Sequence, residues 1–112
     1  MIINKTSNQI ISHQELICSN VLSQSLGLMF HPRKNLVMIF PTEQKISIHT
    51  FFVFYPIDIV VVNKEKKVVE IKKNLRPCTF WNSSQQGKYL LELAFSSTNY
   101  NLGDTIEMNP KK

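Results

Sequence analysis

The sequence predicts an α+β domain that is mostly β: a single compact unit with a bent or barrel-like antiparallel sheet and one early helix covering it. Three observations carry this prediction. Ile, Val and Phe are plentiful while Ala94 is the sole alanine, a bias toward pleated, half-buried surface and away from helix. Short apolar runs recur along the chain, each bounded by Pro, Gly, Asn or polar clusters, which is the punctuation of strands and turns. Only one segment, near the start, repeats its apolar residues at helical spacing.

Taken in order, residues 1–17 alternate weakly, with a short strand expected near the start or around Ile10–Ile11. Ser19 or Asn20 is suited to cap a helix, and Leu22, Leu26 and Met29 then fall on one face of it. His31-Pro32 ends that helix, because the residue before proline is pushed out of the α region. A strand is expected at Leu36–Phe40, then a polar connection at 42–45 and a second strand from Ile46 to Val53. The apolar run Ile48–Asn63 (IHTFFVFYPIDIVVVN) is the longest in the chain, and Pro56 divides it. Beyond the proline, Ile57–Val62 is apolar at nearly every position, as in a strand buried on both faces. A turn at 63–66 joins it to Lys67–Lys72 as a hairpin. Thr79–Trp81 is a short strand or a packed aromatic loop, Asn82–Lys88 a polar loop, and Tyr89–Phe95 a strand with Tyr89, Leu91, Leu93 and Phe95 on one side. Thr105–Met108 closes the set, and residues 109–112 are expected to fray.

The chain has 112 residues, enough for one domain over 1–112, with 43% hydrophobic and 19% charged residues, a balance that excludes wholesale disorder. The first residues are too polar for a secretory signal, and no apolar stretch reaches the length of a membrane span. A cytoplasmic protein without a membrane partner is the expectation. Cys18 and Cys78 form no CxxC pair and read as separate reduced thiols.

Of the net charge of +5, most belongs to one segment: Lys64, Lys66, Lys67, Lys72, Lys73 and Arg76 stand there against Glu65 and Glu70. Such a patch can attract phosphate. The preferred reading is that a turn and a sheet edge carry lysines to keep the edge from pairing, since no Gly-rich or aromatic nucleic-acid signature accompanies them.

Gly27-Leu28-Met29-Phe30, Ile48-His49-Thr50-Phe51-Phe52 followed by Pro56-Ile57-Asp58, Leu75 with Pro77, Leu91-Glu92-Leu93, and Gly103-Asp104 stand in order along the chain. These five pieces resemble a known family, domain of unknown function family 192. The resemblance covers about residues 18–108, most of the chain. The chain departs from the family pattern at His31 and Phe54, where basic residues are common, and at Ala94-Phe95-Ser96-Ser97, which replaces a small Ala-Gly turn. The resemblance implies a compact β-rich fold and no particular activity.

Asp58 is the polar residue that a strand core would least choose. Alternation places it with Val60 and Val62, and a buried carboxylate must be paired or capped by amides. A structural ion pair, with His49 or Arg33 as partner, is preferred over a general base. His49 shares a face with Phe51 and Val53 and reads more readily as a satisfied core histidine than as a proton shuttle. Glu92 is expected to point outward or to pair with a lysine. His and Cys residues stand singly, without metal-ligand spacing, and Gly27, Gly87 and Gly103 are too dispersed for a phosphate-binding loop. No cofactor and no metal are therefore expected.

Three functions follow. The first is a non-catalytic binding module for a small molecule or protein, using His49, Tyr55, Asp58 and Arg33. The second is nucleic-acid binding through residues 64–76, with Phe80 or Trp81 stacking on bases. The third is an enzyme with a His49–Asp58 or cysteine-based dyad.

Overall fold

The computed structural model describes residues 1–18, 33–50, 53–95 and 99–108. These form eight strands: β1 (Ile2–Asn4), β2 (Gln9–Ser12), β3 (Glu15–Cys18), β4 (Asn35–His49), β5 (Ile57–Val62), β6 (Val68–Leu75), β7 (Phe80–Leu93) and β8 (Ile106–Met108). They make two sheets, a three-stranded one in the order β2-β1-β8 and a five-stranded one in the order β3-β4-β7-β5-β6. All pairings are antiparallel except that of β3 with β4.

The α+β expectation gives way here. Among the described residues there is no helix, and two sheets stand in place of one barrel-like sheet. The expected helix at Ser19–Met29 lies outside the described residues. Nor do the sheets close into a barrel. They join at one corner, where Lys67 bridges Thr105 and the Ile106 amide donates to the Lys66 carbonyl at 2.7 Å.

Two polar windows read as connections are strand. β4 runs on through Pro41 and residues 42–45, and β7 contains the whole of Asn82–Lys88. The register between β4 and β7 shifts between Ile39 and Gln44, which leaves Pro41 outside the ladder it cannot complete. Lys88 Nζ caps the shift by donating to the Phe40 carbonyl at 2.5 Å. Further along, the Ser83 hydroxyl accepts from the Ile46 amide, and Glu70 Oε1 accepts from the amides of Ser84 and Gln85. Side chains thus take up backbone groups that the irregular ladder leaves over.

The five-stranded sheet is buried on both faces. Ile2, Ile11, Tyr100 and Ile106 pack on Val37, Val60, Val62, Leu91 and Leu93 between the sheets. On the opposite face Leu36, Met38, Ile59, Val61 and Leu90 cluster with Phe40, Ile46, Val53 and Tyr55. β5 sits between β7 and β6 and is buried at every position, which accounts for its unbroken apolar sequence. β6 is an edge strand, so its lysines stand where they discourage pairing with another chain.

Candidate functional site

One end of the five-stranded sheet collects the polar chemistry. Pairing of Glu15 with Asn35, Leu36 with Glu92, Asp58 with Leu93 and Ile57 with Leu75 brings the starts of β3, β4 and β5 beside the ends of β7 and β6. Along this rim lie two cavities. The larger, about 590 Å³, is bounded by Ile11–Leu16, Arg33–Asn35 and Phe95. The smaller, about 250 Å³, is bounded by Arg33, Pro56, Asp58, Lys73, Asn74, Leu93 and Ala94. Arg33 borders both.

Arg33 precedes β4, and its guanidinium is held from three sides. Its Nη2 donates to the Ala94 carbonyl at 2.6 Å, and the group lies 5.2 Å from the Phe95 ring centroid and 5.9 Å from that of Tyr55. Tyr55 is buried and held by a hydrogen bond from the Lys34 backbone. Burial raises the phenol's pKa, and the nearby Glu92 carboxylate adds to the effect.

Asp58 has a definite structural task. Ile57 pairs with Leu75 and Ile59 with Lys72, so Asp58 alone faces both Lys73 and Asn74 across a β-bulge. Asn74 takes a positive φ of 55° there. The Asp58 carboxylate accepts from the Asn74 amide at 2.8 Å and from Lys73 Nζ at 2.9 Å. Burial opposes the Lys73 ammonium, but hydrogen bonds to Asp58 and to Tyr100 outweigh it and hold the lysine pKa above its ordinary value. The partner is therefore Lys73, and neither His49 nor Arg33 bonds to this carboxylate.

A second network ties the small sheet to the rim. Asn35, buried, donates to Ser12 Oγ at 2.8 Å while its Oδ1 accepts from the amides of Ala94 (2.9 Å) and Phe95 (3.4 Å). Ser12 Oγ lies 2.9 Å from Glu15 Oε1, and Glu15 Oε2 lies 2.6 Å from the Met1 ammonium. Sequence reading missed Asn35, which looked like mere punctuation before an apolar run.

Of the residues singled out in the sequence, Arg33, Tyr55 and Asp58 come together at the rim. His49 does not border either cavity; it ends β4 opposite Phe80, whose ring lies edge-on at 6.4 Å. The basic segment is divided in its duties. Lys73 pairs with Asp58, Lys66 lies over Tyr89, Lys67 bonds Thr105, and Lys64, Lys72 and Arg76 are exposed. Cys18 is buried and Cys78 exposed, and neither is in a disulfide. Among the described residues His, Cys, Asp and Glu nowhere gather in threes, and no helix is long and apolar enough to cross a membrane. Glu92 corrects the expectation of an outward or lysine-paired carboxylate: it is 5% exposed, on the face that carries Leu90 and Ala94, and burial lifts its pKa to about 7.

The fold and rim define a small two-sheet β domain with an arginine-centred cleft. The chain belongs to the DUF192 family, described as "Uncharacterized ACR, COG1430", whose profile matches residues 2–108. It is similar to UPF0127 proteins of Thermococcus sibiricus (32% identity, covering 96% of this chain and 73% of that protein) and of Pyrococcus furiosus (30%, covering 96% and 97%). A crystal structure described as a "putative transcription regulator" from Sinorhizobium meliloti superposes with a TM-score of 0.83 at 16% identity, covering 95% of this chain and 88% of the other. A protein of unknown function from Novosphingobium aromaticivorans gives 0.76 at 18%, covering 84% and 74%. At such identities the likeness is one of fold.

Proposed function

We propose that the protein is a non-catalytic binding module whose small-molecule ligand sits at the rim around Arg33. The observation that carries this reading is the placement of one cation between two cavities with most of its hydrogen-bonding capacity unspent. Among the described residues the guanidinium gives one N–H to Ala94, of the several it carries. It lies over the Phe95 and Tyr55 rings and is tethered to the Ala94 carbonyl, which supports a position set before any ligand arrives. Asp58 serves by holding the bulge that shapes the smaller cavity. A His49–Asp58 dyad lacks support, because both carboxylate oxygens are taken by Lys73 and Asn74. Nucleic-acid binding through 64–76 has weaker support, because Lys66, Lys67 and Lys73 already serve contacts within the chain.

Native mass spectrometry tests the reading. The chain is equilibrated with a small-molecule extract and compared with its Arg33→Gln variant. The expected result is a retained mass that the variant loses. Retention indifferent to Arg33 overturns the proposal. So does a retained oligonucleotide that disappears on Lys72→Gln and Arg76→Gln, which assigns the function to the basic edge instead.

A further inference from the structure

We infer that the rim takes an amphipathic organic carboxylate, with its head on Arg33 and its apolar body in the larger cavity. The inference rests on the rim being a ligand site and adds the class of the ligand.

Charge supplies the first argument. The larger cavity is bordered by Arg33, Lys34 and His13, and its one carboxylate, Glu15, is already matched by the Met1 ammonium and Ser12. The smaller cavity's carboxylate, Asp58, is neutralised by Lys73. The unmatched charge bordering both spaces is therefore that of a cation, and an anion is the complement.

Geometry supplies the second. A guanidinium offers parallel N–H groups in a planar fork that a carboxylate meets with two oxygens. A phosphate ester can meet the same fork, but its further oxygens make wider demands, commonly met by a cluster of free backbone amides. Among the described residues the amides of Ala94 and Phe95 are spent, since both donate to Asn35 Oδ1. The arrangement favours one planar anionic head.

The third argument is the wall. Phe95 is 54% exposed beside the cation, and Leu16 and Ile11 continue the apolar surface. The volume of about 590 Å³ falls within the range of roughly 300–1,000 Å³ typical of small-molecule sites. A ligand with an apolar body beside its carboxylate would cover Phe95 while engaging Arg33.

Octanoate, octanamide and octyl phosphate are titrated separately into the ¹⁵N-labelled full chain, and amide shifts are followed by NMR. Octanoate is expected to move the amides of Asn35, Ala94 and Phe95, and to bind about tenfold more tightly than octanamide, as a two-point charge-assisted contact provides. Arg33→Gln should erase that preference, bringing octanoate and octanamide to equal affinity, and Arg33→Lys, which keeps the charge without the fork, should erase most of it. Equal affinity of octanoate and octanamide at these amides overturns the anion and leaves the rim as a site. Tighter, Arg33-dependent binding of octyl phosphate overturns the carboxylate. If no compound moves the rim amides, the carboxylate inference falls; if the extract experiment also retains no Arg33-dependent mass, the rim falls as a site.

Discussion

At the scale of single residues, Asp58 shows how a carboxylate in a strand core is made tolerable. Its two oxygens meet the two donors that a bulge places opposite it, one from the Asn74 backbone and one from Lys73. The half-exposed ammonium contributes little, because its side chain keeps 46% of its accessible surface. The larger share comes from satisfying the Asn74 amide. Asp58→Ala should therefore lower stability by about 1–3 kcal/mol, the usual penalty of a donor left without an acceptor. Asp58→Asn, which retains an acceptor oxygen, should cost clearly less. Urea unfolding of the two variants measures the difference, and equal losses would place the weight on the ion pair. Alternation in the sequence put Asp58 on the face of Val60 and Val62, where it lies. It did not reveal Lys73 as the partner, because a two-for-one bulge leaves no mark in composition.

At the scale of the element, β7 explains why a polar window was misjudged. Residues 82–88 carry no apolar alternation, yet they pair with β4 because Ser83 and Glu70 occupy the leftover backbone groups. Propensity measures how a side chain fits its neighbours, so context of this kind overrides it. β5, by contrast, was legible to the residue, since a strand buried on both faces writes its burial directly into sequence. Within β7, Gly87 is required by a close crossing. A Cβ there would collide with the Val61 side chain and press on Ile46 Cδ1 at 3.1 Å. Gly87→Ala should destabilise the protein by about 1–3 kcal/mol, as overpacking of a filled core does. Thermal unfolding should also show partial recovery in the Gly87→Ala, Val61→Ala double variant. Absence of recovery would mean that the penalty arises elsewhere than at Val61.

At the scale of the whole molecule, burial of Glu92 couples stability to pH. Its carboxyl holds a proton up to about pH 7 in the folded chain, against an ordinary value of 4.5. Between those values the folded state binds more protons than the unfolded one. The Glu92 contribution is therefore most favourable below 4.5, declines as pH rises, and levels off above about 7. The shift corresponds to roughly 3 kcal/mol. Relative to the wild type, Glu92→Gln should gain stability from pH 5 to about pH 7 and then level off, read as a difference in urea midpoints that grows and then holds. A constant difference would show that Glu92 stays ionised in the fold. The rim was legible in part: Arg33, Tyr55 and Asp58 were singled out from sequence, whereas Asn35 and Glu15 were not, since their roles arise only when β2, β3 and β4 meet.

The small sheet sets a condition on how the protein comes to be made. β1 lies between β2 and β8, and Asn4 donates both to the Asn99 carbonyl and to Asp104 Oδ2. Among the described strands, the first to be translated thus waits for the last. At the pace of translation, about 5–20 residues per second, that wait lasts several seconds, far longer than a hairpin needs to form. During it, Ile2 and Ile11 lack their final cover from Tyr100 and Ile106. A nascent chain of this topology is exposed to wrong partners until residues 104–108 emerge, so its burden on chaperones should be set by the arrival of β8.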